Sequence, residues 1–292
     1  MFTLAHFSDP HLGPLATPPW SKLISKRLTG YIHWQQKRRF IHDQALLGRL
    51  MADLKTARPD HIAATGDFAN IGLPAEFEAT RDFLSRLGAP ADVTAVPGNH
   101  DAYVKDALPA MQTICTPFMR GDDGAGFPFA RRRERVALIG VSSGVPTPPF
   151  VATGRVGRTQ LGLLGKLLQN LERQGMFRVV LIHHPPVTNA AKRKRLIDRL
   201  YLMQTIAQHG AELLIHGHDH KHALVWLPGP ERKVPAVGIS SASAIARPGK
   251  DAAAYNLYRI DGEPGAWRCD METRGVDANG DIVTLKRAAL SG

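Results

Sequence analysis

Cysteine is nearly absent from this chain of 292 residues: Cys115 and Cys269 are far apart and neither sits in a CxxC pair. That excludes a thiolate zinc site and a disulfide framework, and it suits a reducing compartment. No apolar run reaches the roughly 18 residues that a membrane-spanning helix needs, so no span is expected. Residues 1–13 have neither the basic start nor the apolar stretch of a secretory leader, which makes a cytoplasmic location the expectation. Acidic residues are in deficit, 26 against 37 Lys and Arg, for a net charge of +11 and a pI near 9.9. Such a balance favours anionic partners (phosphates, nucleic acid or an acidic membrane face) without choosing among them. Residues 14–42 contain no acid at all. They carry Lys22, Lys26, Arg27, Lys37, Arg38 and Arg39, interleaved with Trp20, Tyr31, Trp34 and Phe40.

Hydrophobic residues make up 43% of the chain, enough for a sizeable core in one large α/β domain or two small ones. Short apolar runs fall at residues 2–8, 61–66, 92–97, 136–142, 178–183 and 212–216, each ending at a polar or glycine-containing turn. Buried strands have this length and these ends. Helical spacing fills the intervals at about 43–56, 75–87, 158–174 and 192–208. The alternation predicts a largely parallel sheet with helices outside it. Four later strands, 223–227, 234–241, 254–260 and 266–271, are expected to form a second, more antiparallel sheet. The glycine-rich stretch 121–133, ending in Arg131-Arg132-Arg133, reads as a loop. No repeat or linker divides the chain, so one catalytic domain is expected over residues 1–272, followed by an extension at 273–292.

The polar chemistry gathers at strand ends. The runs close on Asp9-Pro10-His11, Gly66-Asp67, Gly98-Asn99-His100-Asp101, His183-His184-Pro185-Pro186 and His216-Gly217-His218-Asp219-His220. In open α/β sheets ligands bind beyond the carboxyl ends of the strands. Carboxylates, an amide and imidazoles without sulfur suit Mn²⁺, Fe or Zn²⁺. Two close ions need a shared carboxylate to offset their repulsion. Asp67 is the natural bridge, because Gly66 lets the backbone turn tightly before it. Asn99 offers a neutral oxygen, which keeps the site open to a phosphate. Taken singly, each motif also reads as a turn or a buried histidine. Three histidines within residues 216–220, and five such motifs all at strand ends, do not.

These blocks resemble the calcineurin-like metallophosphoesterase superfamily, whose pattern runs DxH, GD, GNH followed by D or E, then H, then GHxH. The first and fourth blocks are most similar to the branch holding class III cyclic-nucleotide and glycerophospho-diesterases. The resemblance implies a four-layer α/β sandwich, two mixed sheets flanked by helices. It implies a phosphodiesterase that hydrolyses its ester by in-line attack of a hydroxide bridging two divalent ions, Mn²⁺, Fe²⁺/Fe³⁺ or Zn²⁺. One ion would be held by Asp9, His11, Asp67 and His220, the other by Asp67, Asn99, His183 and His218. His100 would contact the phosphate without binding metal and protonate the leaving oxygen. Asp101 would orient that imidazole and favour its charged form. His184 and His216 would stand behind the ligands. The complete ligand set argues against a non-catalytic scaffold.

Residues 14–42 follow the first block directly and are expected at the mouth of the site. Trp20, Leu23, Ile24, Leu28 and Tyr31 fall near helical spacing, and Gly30 predicts two short helices rather than one. Three readings stay open: a basic aromatic helix lying on an anionic membrane, a cap over the pocket, or a segment packed on the core. The first would place the chain at the inner face of the membrane, acting on a lipid or nucleotide-lipid pyrophosphate. A nuclease would use the charge for backbone contacts, but no nucleic-acid module accompanies the site. Lys192-Arg193-Lys194-Arg195 reads as a solvated helix start. Oligomeric state stays open.

Overall fold

A computed structural model describes residues 1–15 and 17–290, so residue 16 of the basic segment and the last two residues of the chain lie outside the described residues. Its strands divide into two mixed sheets of six. The first has the order β12-β11-β10-β1-β2-β3 and the second β4-β5-β6-β7-β9-β8. In the first sheet β1 (Phe2–Phe7), β2 (His61–Ala64) and β3 (Val93–Ala95) run parallel. The strands β10 (Ala254–Asp261), β11 (Arg268–Val276) and β12 (Ile282–Ala289) extend it antiparallel from β1. The second sheet has a parallel centre of β5 (Val136–Gly140), β6 (Phe177–Leu181), β7 (Leu213–His216) and β9 (Val234–Gly238). Its antiparallel edges are β4 (Phe129–Arg133) and β8 (Ala223–Leu227).

Side-chain alternation along these strands builds the layers. Phe2 and Leu4 of β1 meet Val179 and Leu181 of β6 and Leu213 and Ile215 of β7 in the core between the sheets. The alternate residues Ala5 and Phe7 face outward onto α3 (Gln44–Thr56), α4 (Pro74–Leu87) and α5 (Ala107–Ile114). On the far side Val180 and Ile182 pack under α6 (Arg158–Arg173) and α7 (Arg199–His209). Helix, sheet, sheet, helix is the four-layer arrangement the resemblance implied. Helix α6 shows why such segments fold as they do: Leu161, Leu164, Leu168 and Leu171 are buried at helical spacing on one face. Helix α3 begins where expected because Asp43 caps it, its Oδ1 accepting the N–H groups of Ala45 at 2.7 Å and Leu46 at 3.0 Å.

Several expectations are corrected. The four later strands do not make a sheet of their own: two join the edge of the second sheet and two join the first beside β1. Residues 129–133 are a strand rather than a loop, because the Arg131 guanidinium turns inward. It donates to the carbonyls of Pro90, Val93, Pro117 and Arg120 at 2.6–2.8 Å. Helix α7 starts at Arg199 rather than 192, and Lys192–Lys194 form a separate 3-10 turn. Residue 272 lies inside β11, and residues 282–289 pair with it as β12, so the tail beyond 272 is part of the first sheet.

The basic segment folds as α1 (Trp20–Leu23), α2 (Lys26–Gln36) and a 3-10 turn at Arg38–Phe40. Two helices were expected, but the break falls at Ile24 and Ser25, not at Gly30. Gly30 lies inside α2 because the helix presses on Tyr103 and Ile71; a Cβ there would stand 2.4 Å from the Tyr103 hydroxyl. Buried Arg27 pins the start of α2 by donating to the carbonyls of Ile71 at 3.2 Å and Gly72 at 2.7 Å, beside an ion pair with Asp106.

Candidate metal centre

The loops after β1, β2, β3, β6 and β7 meet at one end of the two sheets. The loop after β1 continues its ladder onto the loop after β2: the N–H groups of Asp9, His11 and Leu12 donate to Gly66, Asp67 and Phe68 carbonyls at 2.8–3.1 Å. The next pair of loops touch closely. A Cβ on Gly98 would stand 2.5 Å from the Asp67 nitrogen, and Gly66 has φ of 93°, so glycine is required at both. Buried Asp101 closes this junction. Its carboxylate accepts the N–H groups of Asp67 at 2.8 Å, Phe68 at 3.0 Å, Ala69 at 2.9 Å and Gly98 at 2.8 Å. From the other side Glu76 of α4 accepts the N–H groups of Asn70, Ile71 and Leu73.

All seven residues expected to bind metal come together. Asp9 Oδ1 lies 3.1 Å from His220 Nε2, whose nitrogen lies 3.4 Å from His11 Nε2. Asp67 Oδ2 lies 3.4 Å from His183 Nε2. Asn99 Oδ1 lies 3.3 Å from His183 Nε2 and 2.8 Å from His218 Nδ1, and these two nitrogens are 3.3 Å apart. Two groups of three could each hold an ion: Asp9, His11 and His220, and Asp9, Asp67 and His183. Asp9 is thus common to both groups, while Asp67 has His183 on one side and the His100 N–H, at 2.7 Å, on the other.

The imidazoles are turned by their far nitrogens. His183 Nδ1–H donates to the Thr65 carbonyl at 2.6 Å, and His218 Nε2–H to that of Lys194 at 2.7 Å. His11 Nδ1 faces the Ala69 carbonyl at 3.4 Å. The nitrogens left on His183 and His218 are then acceptors aimed at other acceptors. Lone pairs of His183, His218 and Asn99 within 3.3 Å of one another repel unless a proton or a metal cation lies between them. Ligand atoms around an ion with bonds of about 2.0–2.2 Å stand roughly 3.0–3.5 Å apart, so the donor set fits. Charge gives the same answer. Burial opposes a charge on His183, yet Asp67 and Asp9 push its imidazole up to about 10. Burial, together with the neighbouring His183, lowers His218 to about 4, and burial, together with Arg38 and His42, holds His11 well below its ordinary value.

Backbone strain marks the same residues. Asp9, His11, Asp67, His218 and His220 all have positive φ, between 40° and 71°. Each such residue costs on the order of 1–3 kcal/mol, and such strain clusters at ligand sites.

His100 and Asp101 do not pair as expected. The Asp101 carboxylate is spent on four backbone N–H groups. Burial and the Asp67 charge push it up to about 7, against the pull of those donors. The His100 ring is oriented instead by the Asn70 carbonyl, which accepts from Nδ1–H at 2.6 Å, and by stacking on Tyr103. Burial and the neighbouring Arg38 lower it to about 3, so it is neutral rather than charged here. His184 bonds the Ser143 hydroxyl at 2.8 Å and packs on His183 and His218 from behind. His216, at the end of β7, faces the Gly217 carbonyl.

Sequence reasoning missed the groups that the basic segment contributes. Arg38 places one guanidinium nitrogen 2.9 Å from His100 Nε2 and the other 2.9 Å from His11 Nε2. His42 packs against His11 at a tilt of 59° with ring centres 4.4 Å apart, its Nδ1 at 2.8 Å from the Ser243 hydroxyl. Lys26 lies over the Tyr103 ring and bonds the Thr147 hydroxyl at 2.8 Å. The absence of acids over 14–42 was the available signal, but it did not say which bases turn inward.

The sequence pattern of the calcineurin-like phosphoesterases matches residues 2–222. The chain belongs to that family. Among curated relatives of this family member, a probable cyclic nucleotide phosphodiesterase of Synechococcus sp. is 30% identical over 179 residues, 59% of this chain and 62% of that protein. A cAMP/cGMP dual specificity phosphodiesterase of Mycobacterium tuberculosis is 28% identical over 189 residues, 60% of this chain and 53% of that protein. The matches thus span less than two thirds of either relative. A dimetal phosphatase from Danio rerio shares the fold with a TM-score of 0.63 at 12% identity, covering 99% of this chain and 98% of that one. Purple acid phosphatase PPD1 of yellow lupin seeds does so with 0.57 at 11%, covering 99% and 53%.

Proposed function

We propose that this member of the family is a dinuclear metal-dependent phosphodiesterase. The observation that carries the reading is the set of imidazoles tied back to carbonyls, with their free nitrogens converging on Asp9, Asp67 and Asn99. One ion is assigned to Asp9, His11, Asp67 and His220, and the other to Asp67, Asn99, His183 and His218. Asp67 is assigned to both because the resemblance implies a bridging carboxylate there, although the geometry puts Asp9 in both candidate groups. Two such ions, when bound, activate water at neutral pH and neutralise phosphoryl oxygens. The protein's own part is orientation and proton transfer. Neutral His100 is held by Asn70 with Nε2 toward the site, and a phosphoryl group brings the negative charge that raises its affinity for a proton. Nε2 can then take up a proton from solvent and pass it to the leaving oxygen. The names of the two curated relatives favour a diester, cyclic nucleotides included, as the substrate class.

The test combines metal analysis with a substrate panel. Protein saturated with Mn²⁺ should retain two ions per chain, and chelation should abolish hydrolysis. Phosphomonoesters, phosphodiesters, cyclic nucleotides and lipid pyrophosphates should be compared on the loaded protein. No more than one tightly held ion would overturn the dinuclear assignment.

One observation favours a second reading, a membrane-associated lipid or nucleotide-lipid pyrophosphate hydrolase. Trp20 is 79% exposed and Ile24 87%, and Leu28 and Ile32 of α2 are also exposed. Exposed Lys22, Lys37 and Arg39 accompany them, a composition suited to an anionic lipid surface. Among the described residues no helix is long and apolar enough to cross a membrane, so attachment would be peripheral. Co-sedimentation with anionic vesicles, lost on Trp20→Ser with Ile24→Ser, is the expected result; no sedimentation of the wild type removes this reading.

A further inference from the structure

We propose that Arg38 is the phosphoryl-binding residue of this site, its guanidinium donating to non-bridging oxygens of the bound ester. The proposal rests on the phosphoesterase reading above and assigns a role that the metal ligands leave open. Its first support is an unmatched charge. Buried Arg27 pairs with Asp106 and buried Arg178 with Glu212, whereas Arg38 makes no ion pair among the described residues. Among the described residues its guanidinium has only His100 and His11 as hydrogen-bonding neighbours.

Those neighbours satisfy it only in part. His100 Nδ1 carries the proton given to Asn70, so the approach of Arg38 at 3.0 Å to that nitrogen is not a hydrogen bond. His11 Nε2 is the nitrogen aimed at His220, and it is lost to Arg38 once an ion is bound. His100 Nε2, at 2.9 Å, still accepts from one arm of the planar fork, but the arm turned to His11 is left without an acceptor among the described residues, and phosphoryl oxygens are its best match.

The second support is that Arg38 is held in place. Upstream, Arg27 anchors α2 to Ile71 and Gly72. Downstream, Asp43 N–H donates to the Ser243 carbonyl at 2.8 Å and Ile245 N–H to that of Ile41 at 3.0 Å. The turn carrying Arg38 is thus fixed at both ends. The other base near the site is already engaged: Lys26 Nζ is shared between Thr147 and the Val151 carbonyl. In diester hydrolysis the phosphoryl group gains negative charge on the way to its transition state. A fixed guanidinium therefore stabilises that state more than the ground state and acts on kcat as well as KM.

Arg38→Ala and Arg38→Lys should be prepared with Mn²⁺ and read by metal content, by calorimetric binding of inorganic phosphate, and by kinetics on bis(p-nitrophenyl) phosphate. Arg38→Ala is expected to keep both ions, to bind phosphate at least about tenfold more weakly and to lose about 10²–10³-fold in kcat. Added guanidinium ion should restore part of its activity and none to wild type, and Arg38→Lys should fall between the two. The proposal is overturned if Arg38→Ala stays within about twofold of wild type in phosphate affinity and kcat. It is also overturned if Arg38→Ala, and Arg38→Lys with it, releases metal as a ligand variant does. A wild-type protein without metal or hydrolysis would instead refute the phosphoesterase reading, and phosphate binding by wild type against Arg38→Ala would still decide the role of Arg38.

Discussion

Substituting Asp101 separates two roles that lie on neighbouring residues. The carboxylate uses Oδ2 for the N–H groups of Asp67 and Gly98 and Oδ1 for those of Phe68 and Ala69, all between 2.8 and 3.0 Å. Asp101→Asn keeps one acceptor oxygen and sets an NH₂ group against the other two N–H donors. Leaving two buried donors unpaired costs about 1–3 kcal/mol each, so a loss of about 2–6 kcal/mol is expected from a domain whose whole stability is about 5–15 kcal/mol. The two loops released are those that carry Asp67 and Asn99, so metal affinity should fall together with stability. The assay is urea unfolding of the metal-free protein beside metal analysis after loading with a limiting excess of Mn²⁺. If Asp101 acted instead by charging His100, Asp101→Asn would leave stability and metal content alone and lower only kcat. A variant within about 0.5 kcal/mol of wild type, fully loaded and slow, would refute the stapling argument.

The other expectations concern separate parts of the molecule. His100→Ala should keep both metals and lose about 10²–10⁴-fold in kcat, whereas Asp67→Ala should lose metal; equal metal loss in the two would make His100 a ligand. The Thr284 hydroxyl, with Arg259 and Arg287, holds Glu272 down to about 2 from an ordinary 4.5, against the effect of burial. That stability is present above pH 4.5 and is lost as pH falls toward 2, so Glu272→Gln should cost on the order of 1–2 kcal/mol at pH 7 by denaturant unfolding. The gap to wild type should close in acid, and a gap independent of pH would mean that the carboxylate charge is not the cause. Replacing residues 18–36 with a Gly/Ser linker should leave a small chromogenic diester less affected than a lipid-linked one if the segment positions remote parts of the substrate. Equal losses on both would leave it a packing element alone.

The strands that carry the site were legible because each is a short apolar run buried on both faces, with its functional residue just past the end. Strands with other work to do were not. Strand β4 reads Phe-Ala-Arg-Arg-Arg, and nothing local shows that Arg131 turns inward to collect four carbonyls. Strand β12 is an edge strand whose residues are mostly half-buried or exposed, so it has little apolar alternation to read. Asp101 shows a different failure. Adjacency in sequence suggested a pair with His100, but successive side chains in a turn point apart, and the partners of Asp101 were set by the loop after β2. Arg38 and His42 could not be placed at all, because their position depends on how α2 docks through Arg27 and Gly30.

Positive φ at five of the seven assigned ligands adds a constraint that the motif alone does not express. A side chain leaving a left-handed residue departs at an angle that a strand or helix does not offer, so the ligands have to lie just past strand ends rather than within them. Such residues are not stable in isolation, and here each is held from outside: Asp9 by the Gly66 carbonyl and Ser241, Asp67 by Asp101, and His218 by Asp9 Oδ2. The glycines between the ligands follow from the same crowding. A Cβ on Gly217 would stand 2.4 Å from Asp9 Oδ2, which also accepts the His218 N–H at 3.0 Å. In the blocks GNHD and GHDH the glycine is therefore what lets one ligand loop close over another. The histidines supply the chemistry only because that closure brings nitrogens from loops more than 200 residues apart, such as His11 and His220, within 3.4 Å.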